Sequence, residues 1–141
     1  MSTVASISNQ VSVTINGTVH TVAVNESITL TDDNVVSQTL TVPTSETQIG
    51  TVGTIGAGGL ADVKYGLVIN RDGTNFIRLR LADTSGHTMD VKLLAGEYFV
   101  LHNRSLSVST SEGAFSSFSN IDTISAQADT ASCDVEMILL Y

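Results

Sequence analysis

The chain is 141 residues long, with 6 basic residues, 14 acidic residues, a net charge of −8 and one cysteine. That length suits one domain, on a prior of roughly 100–200 residues, and falls short of the about 250 that a barrel of eight strands and eight helices takes. The acidic balance argues against a general nucleic-acid binder, which needs clustered positive charge, and a single Cys excludes an internal disulfide framework and a multi-cysteine zinc site.

Counts of 17 Ser, 18 Thr, 16 Val and 10 Ile favour strands over helices, because stiff branched side chains fit a pleated surface. The N-terminal residues lack a basic segment followed by an apolar run, so no secretory signal is expected. No stretch approaches the ~18 apolar residues of a membrane-spanning helix. Residues 1–10 read as an N-terminal arm or a first strand, and 11–141 as the β-sandwich domain. Val11, Val13 and Ile15 then alternate with Ser12 and Thr14, and Asn16-Gly17 supplies the two positive-φ positions of a tight type I′ turn. That turn sets Ile15 opposite Thr18, Val13 opposite His20 and Val11 opposite Val22. It collects Val11, Val13, Ile15, Val22 and Val24 on one face, expected to meet the core, with His20 at its rim.

A third strand is expected at 27–31, with Ile28 and Leu30 pointing in. Asp32-Asp33-Asn34 marks a turn; adjacent acids point to different sides and no downstream Glu completes a calcium loop. Residues 35–42 alternate, with Val36, Leu40 and Val42 inward, and Pro43 ends the strand. Thr51 to Ile55 is strand-like. Gly56-Ala57-Gly58-Gly59-Leu60-Ala61 imitates a dinucleotide fingerprint, but only about five residues separate it from the next strand and a crossover needs at least about ten. The segment is read as a loop and no cofactor is expected. Residues 65–70 form a buried strand and 71–75 a turn. Ile77, Leu79 and Leu81 then face one way, and Phe76, Arg78 and Arg80 the other. Residues 82–87 form a loop, and Met89, Val91 and Leu93 align on the next strand. Leu94 to Glu97 make a tight turn into Tyr98–His102. Residues 105–118 are Ser-rich and ambiguous. Residues 121–126 and 135–140 are the closing strands. About eight to ten short strands with polar turns predict an all-β, single-domain antiparallel β-sandwich, jelly-roll-like in its architecture.

No reaction is spelled out. There is no Gly-x-Ser-x-Gly elbow, and Cys133 has no Lys, Arg or His within 105–141 to make its thiol reactive. Asp72 with Asp83, or Asp90 with Glu97, are candidate carboxylate pairs, as any acidic sandwich offers. His20, His87 and His102 lack zinc spacing, so neither catalytic nor metal-binding residues are expected. All six basic residues lie between 64 and 104, a span of net charge +2 with its four acids, flanked by −5 on each side. Phe76, Arg78 and Arg80 are the candidate protein–protein interface. In a basic protein they would suggest a nucleic-acid stacking platform, but a net charge of −8 favours an exposed strand face or a protein contact.

One stretch is more specific. Residues 66–79 hold a strand closing on Asn70, then Asp72-Gly73-Thr74-Asn75-Phe76-Ile77. Residues 89–101 hold Lys92-Leu93-Leu94-Ala95-Gly96-Glu97 before a strand. With the closing strands of 121–141, these segments resemble small structural proteins of tailed-bacteriophage virions. The resemblance implies a capsid decoration (cement) protein, a β-sandwich that binds the major capsid protein as a homo-oligomer, often a homotrimer. It implies a place on the capsid surface after folding in the host cytoplasm, with no cofactor, catalysis, direct nucleic-acid contact or membrane contact. The alternative is a carbohydrate- or receptor-binding sandwich of the virion, in a tail or head fibre, using exposed residues among Tyr65, Phe76, Tyr98, Phe99, Phe115, Phe118 and Tyr141. A small β-fold enzyme is the third reading.

Overall fold

The structure is a computed structural model and describes residues 3–30, 35–51, 63–83, 85–102, 107–109 and 118–140. The strands are β1 (Val4–Ile15), β2 (Thr18–Thr29), β3 (Val35–Val42), β4 (Thr47–Thr51), β5 (Tyr65–Asn70) and β6 (Ile77–Asp83). They continue with β7 (Thr88–Leu93), β8 (Tyr98–Leu101), β9 (Ser107–Ser109), β10 (Phe118–Ala128) and β11 (Cys133–Leu140). Every pairing between them is antiparallel. The chain divides into two compact units, Met1–Asp33 and Asn34–Tyr141. Among the described residues no helix is long and apolar enough to cross a membrane.

The first unit is a two-stranded hairpin. Asn16 and Gly17 have φ of 50° and 80°, the two left-handed positions of a type I′ turn, whose twist matches that of the flanking strands. The turn fixes the expected register: Ile15 pairs with Thr18, Val13 with His20 and Val11 with Val22. Pairing then runs unbroken to Val4 and Thr29, and Leu30 N–H donates to Thr3 O at 2.9 Å. The separate strand expected at 27–31 is therefore the end of β2, because nothing in 24–28 breaks the ladder.

Directly paired residues share a face, so the hairpin is two-sided. One side carries Ser6, Ser8, Ser12 and Thr14 beside Thr21, Asn25 and Ser27, cross-linked by Ser8 Oγ to Asn25 Oδ1 at 2.7 Å and by Ser12 to Thr21 at 3.1 Å. Val4 and Val19 share that side, and the other carries Val11, Val13, Ile15, Val22 and Val24 together with Asn9, His20 and Glu26. These five apolar residues were expected to meet a core, yet Val11 and Val22 are each 71% exposed, Val24 55%, Ile15 53% and Val13 49%. Only Ile7, Ile28 and Leu30, toward the open end, are buried.

The second unit is a sandwich. One sheet runs β3-β11-β5-β8 and the other β4-β10-β6-β7, with β9 pairing β10 outside that path. Setting β9 aside, the strands in chain order fill one sheet as first, eighth, third, sixth and the other as second, seventh, fourth, fifth. That is the two-sheet, two-Greek-key order of a jelly roll, as expected.

The core lies between the sheets. Val42, Val68, Leu101, Val135, Met137 and Leu139 from one meet Ile77, Leu79, Leu81, Leu93, Ile121 and Ile124 from the other. Each fully buried aliphatic side chain contributes roughly 1.5–3 kcal/mol. The alternation of β6, with Ile77, Leu79 and Leu81 buried, is therefore sufficient to fix which face it turns inward. Gly66 gives β5 a close approach: a Cβ there would lie 2.9 Å from Leu139 Cδ2 and 3.0 Å from Leu101 Cδ1. Met89, expected to align with Val91 and Leu93, is 37% exposed at the start of edge strand β7. Of the segment expected to be strand-like at 51–55, Thr51 closes β4, whose 47–51 segment pairs with β10, and residues 52–55 lie outside the described residues. Residues 52–62, 31–34 and 110–117, which include the dinucleotide-like segment and the Asp32-Asp33 turn, lie outside the described residues.

Candidate functional site

The alternation of β6 places Arg78 and Arg80 on the outer face of the β4-β10-β6-β7 sheet, with Phe76 just ahead of the strand. The pairing with β7 sets Arg78 beside Lys92 and Arg80 beside Asp90. Arg80 forks onto Asp90, with Nε to Oδ1 and Nη2 to Oδ2 both at 2.7 Å. Its Nη1 reaches Glu46 Oε2 at 3.0 Å, and Arg78 Nη2 reaches the same oxygen at 2.5 Å. Arg78 Nε is buried without a hydrogen-bond partner. Lys92 Nζ lies 3.8 Å from the Phe76 ring centroid, a cation–π contact.

The hydrogen bonds from Arg80 hold the Asp90 carboxyl below its ordinary range, and those bonds in turn raise the Arg80 guanidinium. The candidate interface is thus a braced charged patch. Arg78, Arg80 and Lys92 against Glu46 and Asp90 give +3 − 2 = +1. Glu46 was missed in the sequence reading, since it joins Arg78 and Arg80 from 32 and 34 residues away.

Parts of the 71–75 and 93–97 segments gather around Asn70, which is fully buried. Its Nδ2 donates to the carbonyls of Asn75 at 2.9 Å, Leu93 at 3.2 Å and Leu94 at 3.1 Å, and its Oδ1 accepts from Asp72 N–H at 3.1 Å. The Asn70 backbone donates to Glu97 O and accepts from Gly96 N–H. Asp72 Oδ1 accepts from Thr74 N–H at 2.8 Å and Asn75 N–H at 2.6 Å, and these backbone bonds hold its carboxyl below the ordinary range. Glu97 Oε2 accepts from Leu94 N–H at 2.8 Å, and Gly96 takes φ 77°, which glycine adopts without penalty. One buried amide thereby ties the 71–75 turn to the β7–β8 turn.

The suggested carboxylate pairs are otherwise engaged. Asp72 and Glu97 bind turn backbones, and Asp90 binds Arg80. Asp83 Oδ1 accepts from Ser85 and His87 N–H, and its Oδ2 lies 2.7 Å from His87 Nδ1. His102 meets the Tyr65 ring edge-on at a 5.8 Å centroid distance, while His20 sits on the hairpin. Among the described residues no three His, Cys, Asp or Glu side chains gather as a metal site. Cys133 is buried, and burial, with Asp72, Asp129 and Asp134 nearby, pushes its thiol up, away from the reactive thiolate. Of the candidate aromatics whose side chains are described, which leaves out Phe115, Phe118 and Tyr141, Tyr98 is 65% exposed. Tyr65 and Phe76 are half-buried, and Phe99 packs against the core.

No family model and no curated protein matches the chain. Among solved structures it is similar to a protein of Bacillus endospore appendages, described as a novel family of disulfide-linked pili. That similarity has 10% sequence identity and a TM-score of 0.47, over 100% of this chain and 89% of that one.

Proposed function

We propose that this chain is a structural subunit of a tailed-bacteriophage particle, of the capsid decoration type, which binds the major capsid protein lattice as a homo-oligomer and works by contact rather than turnover. The observation that carries the reading is the jelly-roll order, an architecture used by viral capsid and lectin domains alike. The segments that resemble virion proteins occupy β5–β8 and the closing strands of that jelly roll. Within it, the chemistry-bearing side chains of 66–102 brace turns and strand pairs, as a rigid contact module requires. The braced patch of Phe76, Arg78 and Arg80 is the surface offered to an acidic neighbour: it belongs to the one span of net positive charge in an acidic chain.

The test is co-sedimentation with purified tailed-phage heads that lack their decoration protein. Saturable binding, weakened at least tenfold by Arg78→Glu, supports the reading. No binding to heads together with saturable binding on a glycan array, lost in Tyr98→Ala, replaces it with the receptor-binding alternative. The exposed Tyr98 favours that outcome, since an exposed aromatic face can stack on a sugar.

A further inference from the structure

Taken by itself, the hairpin is an unfinished structure. A lone two-stranded ribbon is marginally stable in water, and this one keeps five β-branched apolar side chains about half exposed or more on one face. Among the described residues β1 and β2 pair as strands only with each other, so neither outer edge joins a third strand, and such an edge is the usual template for adding one. The ribbon is also sparsely charged: Glu26, toward the open end, is the sole acidic or basic residue in 3–30, and it shares the valine side with Asn9 and His20. In a chain of net charge −8, this is the segment that copies can bring together with the least like-charge repulsion. It carries no Lys or Arg to attract nucleic acid or an anionic lipid surface.

We propose that the hairpins of three or more copies of this chain close around a common axis. Val11, Val13, Ile15, Val22 and Val24 face inward, with His20 toward the turn and Glu26 toward the open end of the same side; the Ser/Thr side, which also carries Val4 and Val19, faces water, and β2 of each copy pairs with β1 of the next. The inference rests on the homo-oligomeric reading above and names its interface. Area decides against a simple face-to-face dimer. Twelve paired positions at a rise of ~3.3 Å and a strand spacing of ~4.8 Å give a face of roughly 400 Å² per copy. Two such faces bury about 800 Å² in total, below the about 1,200–2,000 Å² of a stable interface. Closure into a ring adds edge hydrogen bonds on both sides of every ribbon and leaves no edge exposed.

The experiment is the solution mass of the full chain by light scattering at two concentrations, with circular dichroism to verify folding. The expected mass is three or more times 14.8 kDa. Val13→Asp/Val22→Asp should fall to the single-chain mass, and Thr21→Asp, on the polar side, should keep the full mass. Should the double variant misfold, Val22→Thr must raise the dissociation midpoint at least tenfold. The proposal is overturned by a wild-type monomer or dimer, by an apolar-face variant of unchanged mass, or by equal dissociation in Thr21→Asp. It is likewise overturned if the monomer floats with neutral phosphatidylcholine vesicles, which would make lipid the partner. A monomer that still binds phage heads would sink this interface and leave the decoration reading standing; an oligomer that ignores heads would do the reverse.

Discussion

Replacing Asn70 tests whether one buried amide holds the end of the sandwich together. Asn70→Ala removes a donor group shared by three carbonyls and the acceptor for Asp72 N–H. The site is fully buried, so water does not replace what is lost. Each buried polar group left unsatisfied costs about 1–3 kcal/mol. The Asn75 and Leu94 bonds are only part-buried, so the sum is about 3–5 kcal/mol, a large share of the ~5–15 kcal/mol of a typical domain. At a urea slope of ~2 kcal/mol/M, the midpoint should fall by about 1.5–2.5 M, read by far-UV circular dichroism at one fixed protein concentration. Asn70→Asp keeps the shape but turns an acceptor toward those carbonyls. Burial raises the pKa of the introduced carboxyl in the folded state, so its penalty should be smaller at pH 4, where the acid keeps a proton to donate, than at pH 7. A midpoint loss below about 0.5 M for Asn70→Ala, or an Asn70→Asp penalty that does not change with pH, would mean that the Asn70 amide does not hold these turns together.

Two further substitutions probe packing and charge. Gly66→Ala drives a methyl into Leu139 and Leu101 and should destabilise by about 1–3 kcal/mol, seen as a lower melting temperature. An unchanged or higher value would mean that the leucines give way and the loss of unfolded-state freedom wins. Asp90→Asn removes a carboxylate whose folded pKa is depressed by Arg80 below the ordinary 3.8. Its contribution is therefore present above that value and is lost as pH falls through the folded pKa. For so exposed a pair it is about 0.5 kcal/mol. The variant should melt slightly lower than wild type at pH 7, and the two melting curves should converge on acidification to the pH where that carboxyl is protonated.

Much of the fold was legible because strand signals are local. Asn16-Gly17 demands a two-residue turn, and the turn alone sets the register of the hairpin. The period-two pattern of 77–81 chose its buried face, and Pro43 ended β3 because proline cannot donate to a ladder. The 27–31 strand was misread for an equally local reason. Val24, Asn25, Glu26 and Ser27 offer no apolar alternation, so the pattern gave no sign that β2 continues through them. The candidate interface was found as a face, but its bracing by Glu46 was not, because no local pattern links residues 32 and 34 positions apart.

Secondary structure class, the tight turns and the inward side of most strands follow from φ preferences and side-chain alternation within a few residues. Which strands become neighbours is set by long-range packing, since a jelly roll pairs β3 with β11 across the whole length of the second unit. That packing also makes Asn70 a hub rather than the end of a strand, by bringing the 93–94 carbonyls to its amide. Alternation in 11–24 specifies an apolar face but not what covers it. Among the described residues that face stays about half exposed or more, and burial is a property of the packed molecule rather than of the pattern.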